Sequence, residues 1–347
     1  MGVLLGATLI GLALVCLAGF ISWRRRVLAR VLRGGRIAAT AKGPVEFTMV
    51  GTGPVILQLH GGASGYDQTP ALSWDLHEAG FAVLTPSRPG YLRTPLTAGA
   101  SPEQAADALA ALLDVLGIDQ VCLMGTSGGG PTALQFALRH PGRVWGLVLQ
   151  AAISRHHVQP GRSANSLIGR VLFTRSGTWL ADFGAWGMHL LARYRPTLLV
   201  RTLLNASDAL DPSQAKQRRS YVLGHPEQLA FFRRVAASGM PLSVRQAGLW
   251  NDLDQFARLP VYPLERITCP TLVVHGCADG NVPVAHAEFV ASVVPGAELL
   301  VLGGCGHFIW VGPEAGQTAG KVKDFLVRHA PSAVSECGQT SSFGRKG

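Results

Sequence analysis

A serine between glycines is the first candidate for chemistry. Residues 125–129 read Gly-Thr-Ser-Gly-Gly, a G-x-S-x-G pattern that follows a short apolar segment at 121–124 and precedes a stretch predicted to be helical from near Gly128. A sharp turn from strand to helix strains the residue at its apex and needs small neighbours, so the pattern predicts an exposed nucleophile at Ser127. The alternative is a serine that only caps the following helix.

A serine hydroxyl becomes nucleophilic when a base accepts its proton. His307 lies in a glycine-rich segment after the predicted strand at 298–302, and Asp279 directly follows the predicted strand at 271–275. Imidazole can accept the proton, and a carboxylate can fix its tautomer. The sequence therefore predicts a triad of Ser127, Asp279 and His307. The alternatives are a surface histidine in a flexible loop and an exposed aspartate in a turn.

Another glycine-rich segment supplies donors for a developing oxyanion. Residues 60–65 read His-Gly-Gly-Ala-Ser-Gly after the predicted strand at 55–59. We expect the N–H groups of Gly62 and Gly128 to form the oxyanion hole, Gly128 standing at the start of a helix. The alternative is an ordinary β-turn, and His60 is expected to be a structural hydrogen-bonding residue. No metal-ligand cluster or phosphate-cradling loop is found in the sequence, so we expect neither a metal nor a cofactor.

The elements that position these residues alternate between strands and helices. Apolar runs predict strands at 45–50, 55–59, 81–85, 121–124, 144–149, 271–275 and 298–302. Helical segments are predicted at 71–79, 102–116, 131–139, 284–293 and 316–328. Strands that are apolar throughout are typical of a parallel sheet buried on both faces, which predicts an α/β fold with a mostly parallel sheet and helices on both faces. Residues 153–266 have no clear strand and are predicted to be a helical insertion.

The N-terminal segment differs from the rest of the chain. Residues 3–22 carry no charge and are long enough to cross a bilayer, and Trp23 and a cluster of arginines follow them. We predict a single transmembrane helix, with the downstream domain in the cytoplasm by the positive-inside rule. A signal peptide would have its basic residues before the apolar run, and a buried helix would have a polar face.

The net charge of +10 and the pI of about 9.8 would suit an anionic partner. No zinc-finger spacing, RNP-like stretch or long basic run accompanies the charge, so we expect no nucleic-acid binding. The arginines of the insertion, Arg218 among them, are expected to form a solvated basic face; the alternatives are binding of a carboxylate or phosphate and contact with anionic lipid. Apolar side chains of the insertion could line an acyl pocket or pack the insertion against the core: Trp179, Phe183, Trp186, Met188, Phe231, Phe232, Met240 and Trp250.

Together, these motifs resemble the α/β-hydrolase superfamily, and within it the members that carry a cap. The matching residues are His60-Gly61-Gly62, Ser87-Arg88-Pro89-Gly90-Tyr91, the pentapeptide around Ser127, His275-Gly276 with Asp279, and Gly306-His307. The resemblance covers roughly residues 45–330. It implies that the insertion is a cap over the active site and that Gly62 and Gly128 form the oxyanion hole. Ala63-Ser64 departs from the His-Gly-Gly-Pro-Gly motif of proline iminopeptidases, and a serine nucleophile argues against haloalkane dehalogenases and epoxide hydrolases.

We therefore expect a transmembrane anchor with a basic segment at 1–37, an α/β-hydrolase core at 38–152 and 267–330, a helical cap at 153–266 and a disordered tail at 331–347. The expected activity is hydrolysis of an ester or related acyl bond in a small-molecule substrate, with lipid-derived acyl compounds among the candidates. The alternatives are acyl transfer or carbon–carbon bond hydrolysis on the same triad, and a non-catalytic binding scaffold.

Overall fold

The computed structural model describes residues 1–68, 72, 75–158 and 177–331. The strands are β1 (Arg36–Thr40), β2 (Gly43–Val50), β3 (Val55–Leu59), β4 (Ala82–Pro86), β5 (Val121–Thr126), β6 (Val144–Gln150), β7 (Thr271–Gly276) and β8 (Glu298–Leu302). The helices are α1 (Gly2–Gly34), α2 (Pro102–Leu116), α3 (Gly130–Arg139), α4 (Gly177–Tyr194), α5 (Pro196–Ser207), α6 (Pro212–Gly224), α7 (Pro226–Ala237), α8 (Gln246–Phe256), α9 (Ala285–Val293) and α10 (Ala315–His329).

The strands form one sheet in the order β1-β2-β4-β3-β5-β6-β7-β8. The pairs β1–β2 and β2–β4 are antiparallel, and every other neighbouring pair is parallel. The prediction of a mostly parallel sheet is confirmed. Strand β1 was not predicted, because its short sequence, Arg-Ile-Ala-Ala-Thr, has only one large apolar residue and follows directly on the arginine cluster. It occupies the edge of the sheet, where a polar strand is tolerated.

Helices cover both faces of the sheet, as the apolar strands predict. Along β5, Leu123 belongs to a core cluster that includes residues of α2, α3 and α9, whereas Cys122 and Met124 belong to a second cluster that includes residues of α10. This alternation follows from the two-residue period of a strand. Helix α2 begins and ends where its sequence predicts: Ser101 and Gln104 form a capping box, and Gly117 ends the helix in the left-handed conformation.

Helices α4 to α8 lie between β6 and β7, so the chain leaves the sheet and returns to it. These helices belong to the insertion and are termed the cap helices. The predicted helix at 71–79 falls partly outside the described residues, and residues 75–80 form turns. The predicted disordered tail lies outside the described residues except for Pro331.

Helix α1 is longer than the predicted apolar segment and continues through the arginine cluster to Gly34. It is long and apolar enough to cross a membrane, with a mean hydropathy of 2.5 in its most apolar window. Its large apolar side chains from Leu4 to Leu17 are exposed, whereas Phe20 and Trp23 are buried against α4. The second half of α1 is therefore part of the folded domain, and the first half projects from it.

Candidate active site

Each predicted site residue lies just after the carboxyl end of a strand. Gly62 follows β3, Ser127 follows β5, Asp279 follows β7 and His307 follows β8. These strands are parallel to one another, and parallel strands end at the same edge of a sheet. The sheet thus brings residues from four distant parts of the chain to one region.

Ser127 has the strained backbone expected of a nucleophile elbow. Its φ of 49° lies in the left-handed region, which non-glycine residues rarely adopt. It stands at the start of a single 3-10 turn between β5 and α3 and is partly exposed. A Cβ on Gly125 would lie 2.9 Å from Ala133 Cβ, and one on Gly129 would lie 2.4 Å from Leu59 O. Close packing therefore requires glycine at positions 125 and 129.

His307 and Asp279 are in direct contact. His307 Nδ1 lies 2.7 Å from Asp279 Oδ2, so in the neutral imidazole Nδ1 carries the proton and Nε2 is free to act as a base. Asp279 Oδ1 accepts hydrogen bonds from the N–H groups of Asn281 and Val282. These bonds hold the carboxylate in one orientation, and the carboxylate in turn orients the imidazole.

Asp279 is buried but remains ionised. Burial alone would raise the pKa of this carboxyl, but the charge of His307 and hydrogen bonds from His275, His307 and the Val282 N–H hold the pKa well below its ordinary value. His275 Nε2 lies 2.8 Å from Val282 O and 3.3 Å from Asp279 Oδ2. From the sequence, His275 was identified only as part of the His-Gly motif. The structure shows that it lies beside Asp279, the carboxylate proposed to orient His307.

Gly62 and Gly128 lie beside each other, as a shared oxyanion hole requires. A Cβ added to Gly128 would lie 3.4 Å from the main-chain nitrogen of Gly62. A Cβ added to Gly61 would lie 3.3 Å from Ser127 Cβ, so the loop after β3 passes directly over the serine. Two main-chain N–H groups next to a serine can stabilise the oxyanion of a tetrahedral intermediate.

A buried ion pair that sequence reasoning missed holds this loop. Arg88 donates two hydrogen bonds to Asp252, of 2.8 and 2.6 Å, and a third of 3.0 Å to His60 O. Tyr91 also donates to Asp252, at 2.6 Å. Arg88 and Tyr91 belong to the Ser-Arg-Pro-Gly-Tyr motif, from which a role near the site could have been predicted. Asp252 lies on α8, and no motif in its sequence neighbourhood indicates a role.

His60 has the structural role expected from the sequence. It is fully buried, its Nδ1 lies 2.8 Å from Gly61 O, and its Nε2 accepts the N–H of Arg88. Burial and the neighbouring Arg88 charge lower the pKa of His60 well below its ordinary value, which keeps the ring neutral. A neutral ring with both nitrogens engaged is not available as a second base.

The expectation of a solvated basic face is wrong for Arg218. This residue of α6 is buried, lies 3.2 Å from Asp208, and donates to Glu314 and to the main-chain oxygen of Phe308. The carboxylate of Asp208 accepts the main-chain N–H of His307, and burial raises the pKa of Asp208 despite the opposing charge of Arg218. Because the partners of Arg218 are distant in the sequence, no local pattern could predict this cluster.

The apolar residues of the cap mostly pack against neighbouring helices. Met188, Phe231 and Phe232 belong to a cluster that includes Phe308 beside His307. Trp186 and Met240 pack with the second half of α1. Of the two interpretations offered by the sequence, packing describes these five residues.

Comparison with known proteins places the chain in a family. The model of the alpha/beta hydrolase fold family matches residues 54–311, and the chain belongs to that family. A solved alpha/beta hydrolase fold protein from Nakamurella multipartita superposes with a TM-score of 0.75 at 34% identity, covering 84% of this chain and 98% of that one.

Two curated relatives are also hydrolases. The uncharacterized hydrolase YcgS of Bacillus subtilis (strain 168) is 31% identical over 291 residues, which cover 82% of this chain and 95% of that protein. A pimeloyl-[acyl-carrier protein] methyl ester esterase of Aromatoleum aromaticum is 31% identical over 260 residues, covering 73% of this chain and 91% of the relative. The chain is accordingly a hydrolase of the α/β-hydrolase fold.

Proposed function

We propose that the protein hydrolyses an ester or related acyl bond through Ser127, His307 and Asp279. The observation that carries the proposal is the left-handed backbone of Ser127 at the sharp turn between β5 and α3, because a strained strand-to-helix turn of this kind presents a serine hydroxyl above the end of the sheet. The 2.7 Å contact between His307 and Asp279 at the same sheet edge supports it.

The proposed reaction has two stages. In the first, Ser127 Oγ attacks the acyl carbonyl carbon while His307 Nε2 accepts its proton, and the N–H groups of Gly62 and Gly128 stabilise the oxyanion. His307 then donates the proton to the leaving alkoxide, which departs as an alcohol. In the second, His307 removes a proton from water, the hydroxide attacks the acyl-enzyme, and the acid is released with Ser127 reprotonated.

We further propose that α1 anchors the protein in a membrane with the catalytic domain on the cytoplasmic side. The support is its length, its hydropathy and the arginines that follow its apolar half. An anchor of this kind would hold the site near lipid, which favours a lipid-derived acyl substrate.

The decisive experiment is labelling with a fluorophosphonate probe. We expect the parent protein to react, and Ser127→Ala and His307→Ala to lose the reaction. Ser292→Ala, which removes an exposed serine on α9, is the matched control and should react like the parent. Labelling of Ser127→Ala, or no labelling of a folded parent, would contradict the proposal and favour a binding scaffold.

Product analysis then separates the alternative reactions on the same triad. An acid and an alcohol released from acyl esters of increasing length, with oxygen from solvent water in the acid, identify an ester hydrolase. A product that forms only when an acceptor other than water is present identifies an acyltransferase. Cleavage beside a ketone with no activity on esters identifies carbon–carbon bond hydrolysis.

A further inference from the structure

Helix α4 of the cap crosses α1 at the end of its exposed apolar half. The rings of Trp179, Phe183 and Trp186 lie 5.3, 5.3 and 5.9 Å from the ring of Phe20, and the ring of His189 lies 5.9 Å from that of Trp23. These contacts extend over about 15 Å of α4 but involve only Phe20 and Trp23, which lie within one turn of α1. Two helices that packed side by side would contact each other over equal lengths. Helix α4 therefore crosses α1 at the level of these two residues.

A buried ion pair fixes this crossing. Arg24 of α1 donates to Asp182 of α4 at 2.7 Å, and the carboxylate of Asp182 is fully buried. Asp182 also accepts the main-chain N–H of Ser243, which ties the crossing to the segment before α8. Two turns further along α1, Tyr66 donates to Val31 O at 2.7 Å. The orientation of α1 relative to the domain is therefore set by specific contacts.

The outer face of α4 is apolar at the level where it crosses α1. Trp179, Leu180 and Phe183 are exposed by 46%, 52% and 44%, and Gly184 on the same face is also exposed. This exposed set recurs at helical spacing and contains no charge. Large exposed apolar surfaces on soluble proteins are uncommon and mark contacts with a partner or a membrane.

Positive charge lies next to this apolar face. Arg25, Arg26 and Arg30 follow the crossing along α1 and are exposed, and Arg193 is exposed near the end of α4. An apolar helix face beside arginines matches a helix that lies in the plane of a bilayer, with its apolar side among acyl chains and its cations among anionic headgroups.

We propose that the exposed face of α4, formed by Trp179, Leu180, Phe183 and Gly184, is a docking surface for the anionic leaflet of a lipid bilayer. The inference rests on the proposed membrane anchor, because α1 sets the depth of α4. If the apolar half of α1 spans the bilayer, Phe20, at the end of that half, lies at the membrane–water interface. Helix α4 contacts Phe20 and therefore lies at the same interface. The cap is then seated on the membrane surface, from which acyl substrates can reach it.

The test measures bilayer contact at single positions of the full-length protein. Cysteine is introduced at Leu180, at Leu17 on α1, or at Val327 on α10, in a background in which Cys16, Cys277 and Cys337 are serine. All three host positions are exposed apolar residues, so they are matched in type. Each is labelled with an environment-sensitive fluorophore, and the background protein without an added cysteine is the labelling blank. The protein is reconstituted in vesicles of three parts phosphatidylcholine to one part phosphatidylglycerol, with and without brominated acyl chains.

We expect the bromines to quench the label at Leu180→Cys by at least half as much as the label at Leu17→Cys, and to leave Val327→Cys unquenched. Quenching at Leu17→Cys alone would overturn the docking surface and leave the anchor standing. Quenching at Leu180→Cys alone would support the surface and overturn the anchor. Quenching at neither position would overturn both, and equal quenching at Leu180→Cys and Val327→Cys would overturn the surface as non-specific.

Discussion

The guanidinium of Arg218 donates a hydrogen bond of 2.7 Å to the main-chain oxygen of Phe308, the residue that directly follows His307. The same group lies 3.2 Å from Asp208 and donates to Glu314 at 3.0 Å. Arg218 belongs to a cap helix, so the cap holds the segment that carries the candidate base. Because these contacts fix one conformation of the segment, we expect the position of the imidazole to depend on Arg218.

Replacing Arg218 by methionine should lower both turnover and stability. We expect kcat on a short ester to fall roughly tenfold to hundredfold with little change in KM, since a misplaced base slows the chemical step. The free energy of unfolding should fall by about 3–5 kcal/mol, because Asp208 remains buried without its cation. Steady-state kinetics and denaturant unfolding measure the two effects.

A matched variant and a double variant separate positioning from stability. Arg219→Met changes the partly exposed neighbour on the same helix, whose only side-chain hydrogen bond among the described residues is to Asn205, and should leave both quantities near those of the parent. Arg218→Met combined with Asp208→Asn removes the unpaired charge and should recover stability while kcat stays low. Recovery of kcat together with stability would mean that Arg218 acts on folding alone.

Seven of the eight strands and the candidate triad could be proposed from the sequence because both depend on local patterns. Apolar runs identify β5 and β7, and the glycines around Ser127 reflect close approaches of neighbouring residues that a short motif records. Arg218 and Asp252 could not be predicted in the same way. Each is a buried charge whose partner lies in a different segment, and burial of that kind is decided by the packing of helices on the sheet. An arginine considered only within its local sequence is assigned to solvent, as Arg218 was.

The proposed oxyanion hole leads to a second prediction, which concerns a side chain added at Gly128. A Cβ in the Gly128→Ala variant would lie 3.0 Å from Phe256 Cζ and 3.4 Å from the nitrogen of Gly62. The methyl group would crowd the position where the oxyanion must bind, so we expect kcat/KM for ester hydrolysis to fall about 10²-fold. Gly303→Ala is the control, because an added Cβ there meets nothing within 4 Å. Equal activities of the two variants would exclude Gly128 from the oxyanion hole.

Replacing Asp279 by asparagine should affect catalysis and the response of the fold to acid. We expect kcat to fall roughly 10⁴-fold, since the amide favours the wrong tautomer of His307. The pKa of Asp279 is held below that of an unfolded aspartate, so its ionised form stabilises the fold above about pH 4, and this contribution is lost as the pH falls further. The difference in unfolding free energy between parent and Asp279→Asn should therefore narrow below about pH 4. A constant difference measured by denaturant unfolding would contradict this assignment, and Asp254→Asn on exposed α8 surface is the control.

His286 on α9 makes the last prediction, which concerns stability in mild acid. Burial, with the nearby His157 and Arg155, lowers the pKa of His286 to about 3. An unfolded histidine takes up its proton below about pH 6.5, so between about pH 6.5 and about pH 3 the unfolded state binds the proton and the folded state does not. The free energy of unfolding should therefore decrease as the pH falls through this window, by up to about 1.4 kcal/mol per pH unit for this one group.

The His286→Asn variant tests this directly. His286 Nδ1 accepts the N–H of Ser154 at 3.2 Å, and an asparagine oxygen can accept the same bond without a titratable ring. The decrease in unfolding free energy of the variant should be shallower than that of the parent by up to about 1.4 kcal/mol per pH unit. His60 and His157 also have pKa values lowered by burial, so part of the decrease should persist in the variant. Identical slopes, measured by denaturant unfolding from about pH 8 to about pH 4, would show that His286 becomes protonated without unfolding the chain.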